Sequence, residues 1–206
     1  HFRVLRGGGK IGDLIVSSIG IGTYLGPDND SVDREYMESL TRSLTLGINV
    51  IDCAANYRTM RSELLIGHTL AMAIKQGIVN RNEVVICSKA GFLAFDYRES
   101  IDPYTYIDDT YIKTNLFTRD EFVGGCHCLS PAYLKNQVEL SRRNMGLETI
   151  DIYFIHNPET QLSQVAVHLA AKDQGSDWCD GRVLCRGQDC HVWHCYMERI
   201  PSKCKQ

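Results

Sequence analysis

Four side chains that can move protons or hold charge stand at or near the ends of apolar runs. Asp52 closes INVID (48–52), Lys89 lies near the end of EVVICSKAG (83–91), and His156 lies near the end of IDIYFIHN (150–157). Tyr57 follows Asp52 by five residues. Singly, each has an ordinary explanation. A strand-ending Asp is often a turn former, a lone Tyr is more often a packed ring, and a lone His is most often structural. Lys89 is harder to dismiss, because lysine rarely follows a buried run without a partner. Jointly, the four make a proton-transfer set. A carbonyl reduced by hydride needs a proton on its oxygen. Tyrosine, with an ordinary pKa near ~10, gives one up reluctantly at neutral pH. A neighbouring ammonium favours tyrosinate and lowers that pKa. Lys89 would supply the charge, Asp52 would hold Lys89 in place, and His156 would orient the substrate oxygen.

Such residues must be positioned by regular elements, and the chain alternates strands and helices. An apolar run closed by glycines, LIVSSIGIG (14–22), predicts a strand, with a short hairpin around Gly7–Gly9 ahead of it. Ser31 is a candidate cap for a helix to about Leu46, with Met37, Leu40 and Leu44 on one face and Gly47 as its stop. A second helix is expected over 62–76, with Ile66, Leu70 and Ile74 facing inward and Gly77 after it. The segment 92–129 shows no clear periodicity and reads as a long, mobile cover for a substrate. Its Phe92, Phe95, Tyr97, Tyr104 and Tyr106 read chiefly as rings that pack the segment down. Ser130-Pro131 then opens a helix to about Met145 whose Leu134, Val138, Ser141 and Met145 share a face.

Strand followed by helix, repeated, implies parallel strands with crossover helices. An open doubly wound sheet and a (β/α)8 barrel compete. The open sheet's dinucleotide fingerprint is off by one in Gly20-Ile21-Gly22-Thr23-Tyr24-Leu25-Gly26, and no helix begins there. The barrel places chemistry at the C-terminal ends of its strands, where Asp52, Lys89 and His156 fall.

Composition narrows the remaining classes. The 206 residues are 44% hydrophobic, enough for a sizeable core, and the net charge of −3 gives no electrostatic case for nucleic acid or an anionic membrane. No run of ~20 apolar residues predicts a membrane span, and no basic-then-apolar leader is visible at the start. Nine cysteines, an odd number, fit a reducing cytoplasm better than a disulfide framework.

The sequence resembles the aldo-keto reductase family. The resemblance is carried by GIGTYLG (20–26), GINVIDCAANYR (47–58), SELLIGHTL (62–70), VVICSKAG (84–91) and LSRRNMGLETIDIYFIHNPE (140–159), and covers about residues 11–164. It implies a (β/α)8 barrel of which about four βα units, the N-terminal half, are present. It implies a catalytic tetrad of Asp52, Tyr57, Lys89 and His156, with Tyr57 as proton donor and His156 also contacting substrate. Gly22, Thr23, Asp52 and Asn157 are implied near the nicotinamide of NADPH or NADH, and Tyr24 near a small carbonyl substrate. The family's phosphate- and adenosine-binding loops follow its seventh and eighth strands, which find no counterpart here.

Residues 165–206 break the pattern. They are rich in Cys, Trp and His, show no βα rhythm, and read as an atypical tail rather than a domain, such as a shifted reading frame or a misjoined exon would give. Cys179, Cys185, Cys190, His191, His194 and Cys195 are potential metal ligands, but their spacing lacks the paired C-x2-C of common zinc modules. Cys126-His127-Cys128 is a weaker candidate, since alternate residues of an extended chain point opposite ways. No metal site is expected. Three readings of function follow: a carbonyl reductase, an inactive barrel fragment acting through protein interaction, and a metal-binding tail module. Half a barrel also leaves open sheet edges through which copies could associate.

Overall fold

The computed structural model describes residues 9–11 and 14–162. The tail 165–206, with its candidate metal ligands, lies outside the described residues. Strands β1 (Gly9–Ile11) and β2 (Leu14–Val16) pair antiparallel. Gly9, expected near a turn, lies within β1 and pairs with Val16. The apolar run 14–22 divides into β2 and β3 (Gly20–Gly22) instead of forming one strand. Buried Asn49 is the cause. Its side chain accepts from the Ser17 N–H at 2.8 Å and donates to the Ile15 carbonyl at 2.8 Å and the Glu83 carbonyl at 2.9 Å. Those main-chain groups are thereby taken out of a continuous ladder.

Helix α1 (Asp30–Thr45) is capped by Asn29, whose side chain accepts from the Val32 N–H, two residues earlier than the expected Ser31 cap. Leu40 and Leu44 face inward, and Gly47 ends the turn at a φ of 88°. Strand β4 (Val50–Asp52) follows, then α2 (Arg61–Lys75). Ile66 and Leu70 of α2 are buried, but Ile74 is 38% exposed and Ala73 takes the inward position. The reason is helical pitch. Each four-residue step overshoots one turn of 3.6 residues, so two such steps carry Ile74 off the stripe while a seven-residue step returns to it. Strand β5 (Val85–Ala90) starts two residues later than the expected 83, because Arg81–Glu83 form a 3-10 turn.

The segment 92–129 is a packed lobe rather than a structureless cover. It holds a short helix α3 (Pro103–Ile107), capped by Asp102, and a small hairpin of β6 (Phe122–Val123) and β7 (His127–Cys128). Tyr106, Tyr111 and Phe117 pack on one another and on Tyr133 of helix α4 (Pro131–Met145). Phe95 joins them, whereas Tyr97 and Tyr104 are exposed. Helix α4 begins as expected, with the Ser130 hydroxyl accepting from the Tyr133 N–H behind Pro131, and buries Leu134, Val138, Ser141 and Met145. Strand β8 (Ile152–Ile155) completes the described chain's regular elements.

The central sheet is parallel throughout, in the order β3-β4-β5-β8, with α2 lying between α1 and α4. This is the run of βα units expected of one half of a barrel. The main core lies between sheet and helices, around Leu40, Leu44, Ile51, Ile66, Leu70 and Ile86. The opposite face carries a smaller apolar cluster of Val16, Val85, Cys87 and Ile152, with Val50 and Phe154 against it. Successive strand residues alternate faces. Asp52, Lys89 and His156 are therefore in phase with Val50, Cys87 and Phe154, on the side away from the helices. Among the described residues, no helix is long and apolar enough to cross a membrane.

Candidate active site

The Lys89 ammonium is the hub. Its three hydrogens meet three acceptors: Asp52 Oδ2 at 2.7 Å, the Cys53 carbonyl at 2.9 Å and the Tyr57 hydroxyl at 3.2 Å. Burial works to lower the Lys89 pKa, but the hydrogen bond and charge of Asp52, with Tyr57, outweigh it and hold the amine above its ordinary value. Register supplies the closeness: Gly22 pairs with Asp52 across β3 and β4, and Asp52 with Cys87 across β4 and β5.

Tyr57 is aimed by the loop between β4 and α2. Cys53, Ala54 and Ala55 are fully buried, and the Tyr57 N–H donates to the Ala54 carbonyl at 3.1 Å. Arg58, Thr59 and Met60 then all hold positive φ, at 49°, 51° and 70°, a conformation costly for residues with side chains. Ion pairs and hydrogen bonds to the start of α1 keep it there. Arg58 reaches Asp33 at 2.6 Å and the Pro27 carbonyl at 3.0 Å, and the Thr59 hydroxyl donates to Asp28 at 2.9 Å. The Tyr57 ring lies between Tyr24, at 4.9 Å between centroids, and the edge-on imidazole of His156, at 5.5 Å.

His156 follows the end of β8, its N–H donating to the Ala90 carbonyl at 2.7 Å. Burial, then the charge of Lys89, pull its pKa down to about 4, so it is neutral at pH 7. Its Nδ1 is buried with no partner among the described residues. Asn157 turns the chain away at a φ of 46° and is exposed.

The expected nicotinamide-side residues occupy the same rim. Gly22 is exposed, and a Cβ there would meet nothing within 4 Å. Thr23 is buried. Its N–H and hydroxyl both reach the Asp52 carbonyl at 3.2 Å, and its own carbonyl accepts from Ser62 at 2.6 Å. An open cavity of about 400 Å³ is lined by Asp52, Tyr57, Lys89, Phe154, Ile155, His156 and Asn157. Every site residue picked from the sequence thus lies in or beside one small region. Among the described residues, no three His, Cys, Asp or Glu side chains gather as a metal site.

Sequence reasoning missed the layer behind His156. His127 is fully buried, Gln161 bonds it, and Phe92 sets its edge against both histidine rings at 4.9 and 5.0 Å. No local spacing marks these residues, because they come from the lobe and from the turn after β8. Glu63 was likewise unmarked: it is fully buried and bonded to Ser88, the neighbour of Lys89 on the helix side of β5.

The arrangement can deliver a proton from the Tyr57 hydroxyl, backed by a fixed cation and flanked by a neutral imidazole. The chain is 27% identical over 149 residues to the NADH-specific methylglyoxal reductase of Escherichia coli (strain K12), covering 70% of this chain and 39% of that protein. A solved protein from Pseudomonas aeruginosa assigned to the aldo-keto reductases is 26% identical with a TM-score of 0.48, covering 82% of this chain and 57% of the other. An aldo-keto reductase of the silkworm Bombyx mori, solved twice, once complexed with NADPH, is 18% identical with a TM-score of 0.46. That match covers 70% of this chain and 33% of the silkworm protein in its NADPH complex. The family model described as the aldo/keto reductase family matches residues 18–193, running past residue 164 where the motif resemblance stops. That span shows that the chain belongs to the aldo/keto reductase family.

Proposed function

We propose that the protein reduces the carbonyl of a small aldehyde or ketone to an alcohol, using NADPH or NADH. The observation that carries this reading is the Lys89 ammonium bonded at once to Asp52 and to the Tyr57 hydroxyl. The cofactor, when bound, supplies hydride to the carbonyl carbon. The free space over Gly22 and the cavity at the strand ends fit its nicotinamide end, with Gly22, Thr23, Asp52 and Asn157 around it. Thr23, buried and bonded to the Asp52 main chain, would act by shaping the loop after β3. Tyr57 gives its hydroxyl proton to the substrate oxygen, and Lys89 stabilises the phenolate left behind. Asp52 keeps Lys89 charged and turned toward Tyr57. His156, neutral, bonds and orients the substrate oxygen, and exposed Tyr24 offers a face to the substrate beside Tyr57. The relative's name makes methylglyoxal a sensible first substrate. The described cysteines Cys53, Cys87, Cys126 and Cys128 are free, which favours a reducing cytoplasm.

The test is a titration of the 206-residue chain with NADPH and NADH by cofactor fluorescence, followed by turnover of methylglyoxal and simple aldehydes. The expected result is saturable binding at micromolar cofactor and measurable turnover. A Tyr57→Phe variant should bind cofactor as tightly yet lose turnover by ~100-fold or more. Binding absent up to millimolar cofactor, or turnover untouched in Tyr57→Phe, would overturn the reading.

A further inference from the structure

The geometry points to His127 as a positioning residue that clamps the main chain of His156 at the site. This rests on the reading of His156 as the group that orients the substrate oxygen. His127 Nε2 lies 2.7 Å from the His156 carbonyl oxygen. A carbonyl only accepts, so Nε2 carries the proton. In a neutral imidazole Nδ1 must then accept, and Gln161 Nε2 stands 2.8 Å from it as donor. The same Gln161 amide nitrogen is 3.5 Å from the His127 carbonyl, which fixes it as the donating end.

The bond sits in a tight housing. His127 is fully buried, with the Phe92 ring edge-on to it and to His156. Gly91, the residue after β5, leaves no room: a Cβ there would lie 2.5 Å from His127 Nε2 and 2.7 Å from the His156 oxygen. Burial lowers the His127 pKa, against the His156 carbonyl that raises it, consistent with a neutral donor. His156 is therefore gripped from both sides, its N–H by Ala90 and its carbonyl by His127. Because Asn157 turns into left-handed backbone immediately afterwards, the carbonyl bond fixes where the chain leaves β8. With the peptide held, the imidazole keeps its bearing toward Tyr57.

The experiment uses the full chain with 13C,15N-labelled histidine, unsubstituted and as His127→Gln and His127→Phe. Glutamine's amide nitrogen reaches the position of Nε2 and keeps a donor. Phenylalanine keeps the ring against Phe92 but has none. Neither can become charged, so the difference between them isolates the hydrogen bond. In the unsubstituted chain, the nitrogen shifts of His127 should show a proton on Nε2 and an unprotonated Nδ1. The His156 ring resonances should be retained in His127→Gln and displaced or broadened in His127→Phe. For carbonyl turnover, kcat should fall about tenfold or more in His127→Phe, with KM within about twofold, and His127→Gln should recover most of the loss. A proton on Nδ1 of His127 overturns the clamp. So do His156 resonances that stay in place in His127→Phe, or equal losses in the two variants. Should His127→Phe fail to fold, the tautomer and the His127→Gln spectrum decide alone. If the unsubstituted chain turns over no carbonyl, the proposed function fails, and the histidine spectra still settle the clamp.

Discussion

At the scale of single residues, the sequence exposed the site's front and hid its support. Asp52, Lys89 and His156 were legible because an ionisable group near the end of an apolar strand stands out against its surroundings. Glu63 was not, since a carboxylate near a helix start reads as solvated. It is in fact fully buried, with Ser88 donating to it at 2.7 Å and Asn144 at 2.8 Å. Burial pushes its pKa up, against hydrogen bonds from Ser141, Ser88 and Asn144. A folded pKa above the unfolded one gives a contribution fully present below the ordinary carboxylate value of about 4.3 and lost as pH rises through the raised value. Glu63→Gln escapes that loss. Its melting temperature should rise relative to the parent as pH climbs above the ordinary carboxylate range and converge with it below that range, in thermal melts followed by circular dichroism. A difference that does not change with pH would remove the ionisation argument.

At the scale of elements, regular amphipathic pieces were readable and aromatic packing was not. Helix α4 matched its expected cap and inward face, because both signals are local. The lobe of residues 92–129 gave no period, because its rings pack irregularly on one another and, through Tyr111 and Phe117, on distant Tyr133 of α4. The loop after Tyr57 hid its conformation as well: nothing in Arg58-Thr59-Met60 announces three positive φ values in a row. What holds it is the link to α1, with the Arg58 side chain 1% exposed and paired to Asp33, which also takes Arg61 at 2.5 Å. Asp33→Ala would leave a buried guanidinium without its charge partner, at a cost on the order of 3 kcal/mol. Urea unfolding should show that loss. The turnover of surviving folded protein should fall as well, since Tyr57 is the next residue. Unchanged stability would mean the loop does not depend on that ion pair. Helices α2 and α4 meet at Gly67, where a Cβ would lie 2.5 Å from the Met145 carbonyl oxygen. Gly67→Ala should therefore destabilise by about 1–3 kcal/mol, read in the same urea experiment.

At the scale of the whole molecule, the described chain centres on a four-stranded parallel sheet with helices on one side and the candidate site at the C-terminal ends of its strands. Among the described residues, β3 and β8 each pair on one side only. Unpaired edges of this kind template association. Sedimentation velocity across a wide concentration range should show reversible self-association, and a monomer at every concentration would exclude it. The barrel half was legible because strand–helix alternation repeats, whereas the division of 14–22 into two strands turned on Asn49, a residue distant in sequence. The alternation of β5 has a further consequence for how this protein can tolerate change. Ser88 faces Glu63 among the helices, and Lys89 faces the site. One residue deleted ahead of them within the strand would bring Lys89 into the place of Ser88 and Ala90 into the place of Lys89. The ammonium would be driven in beside a buried carboxylate, where it could settle as an inert internal salt, and a bare methyl would stand where the cation is needed. Length changes in this strand are therefore forbidden one at a time, even where every substitution along it is mild.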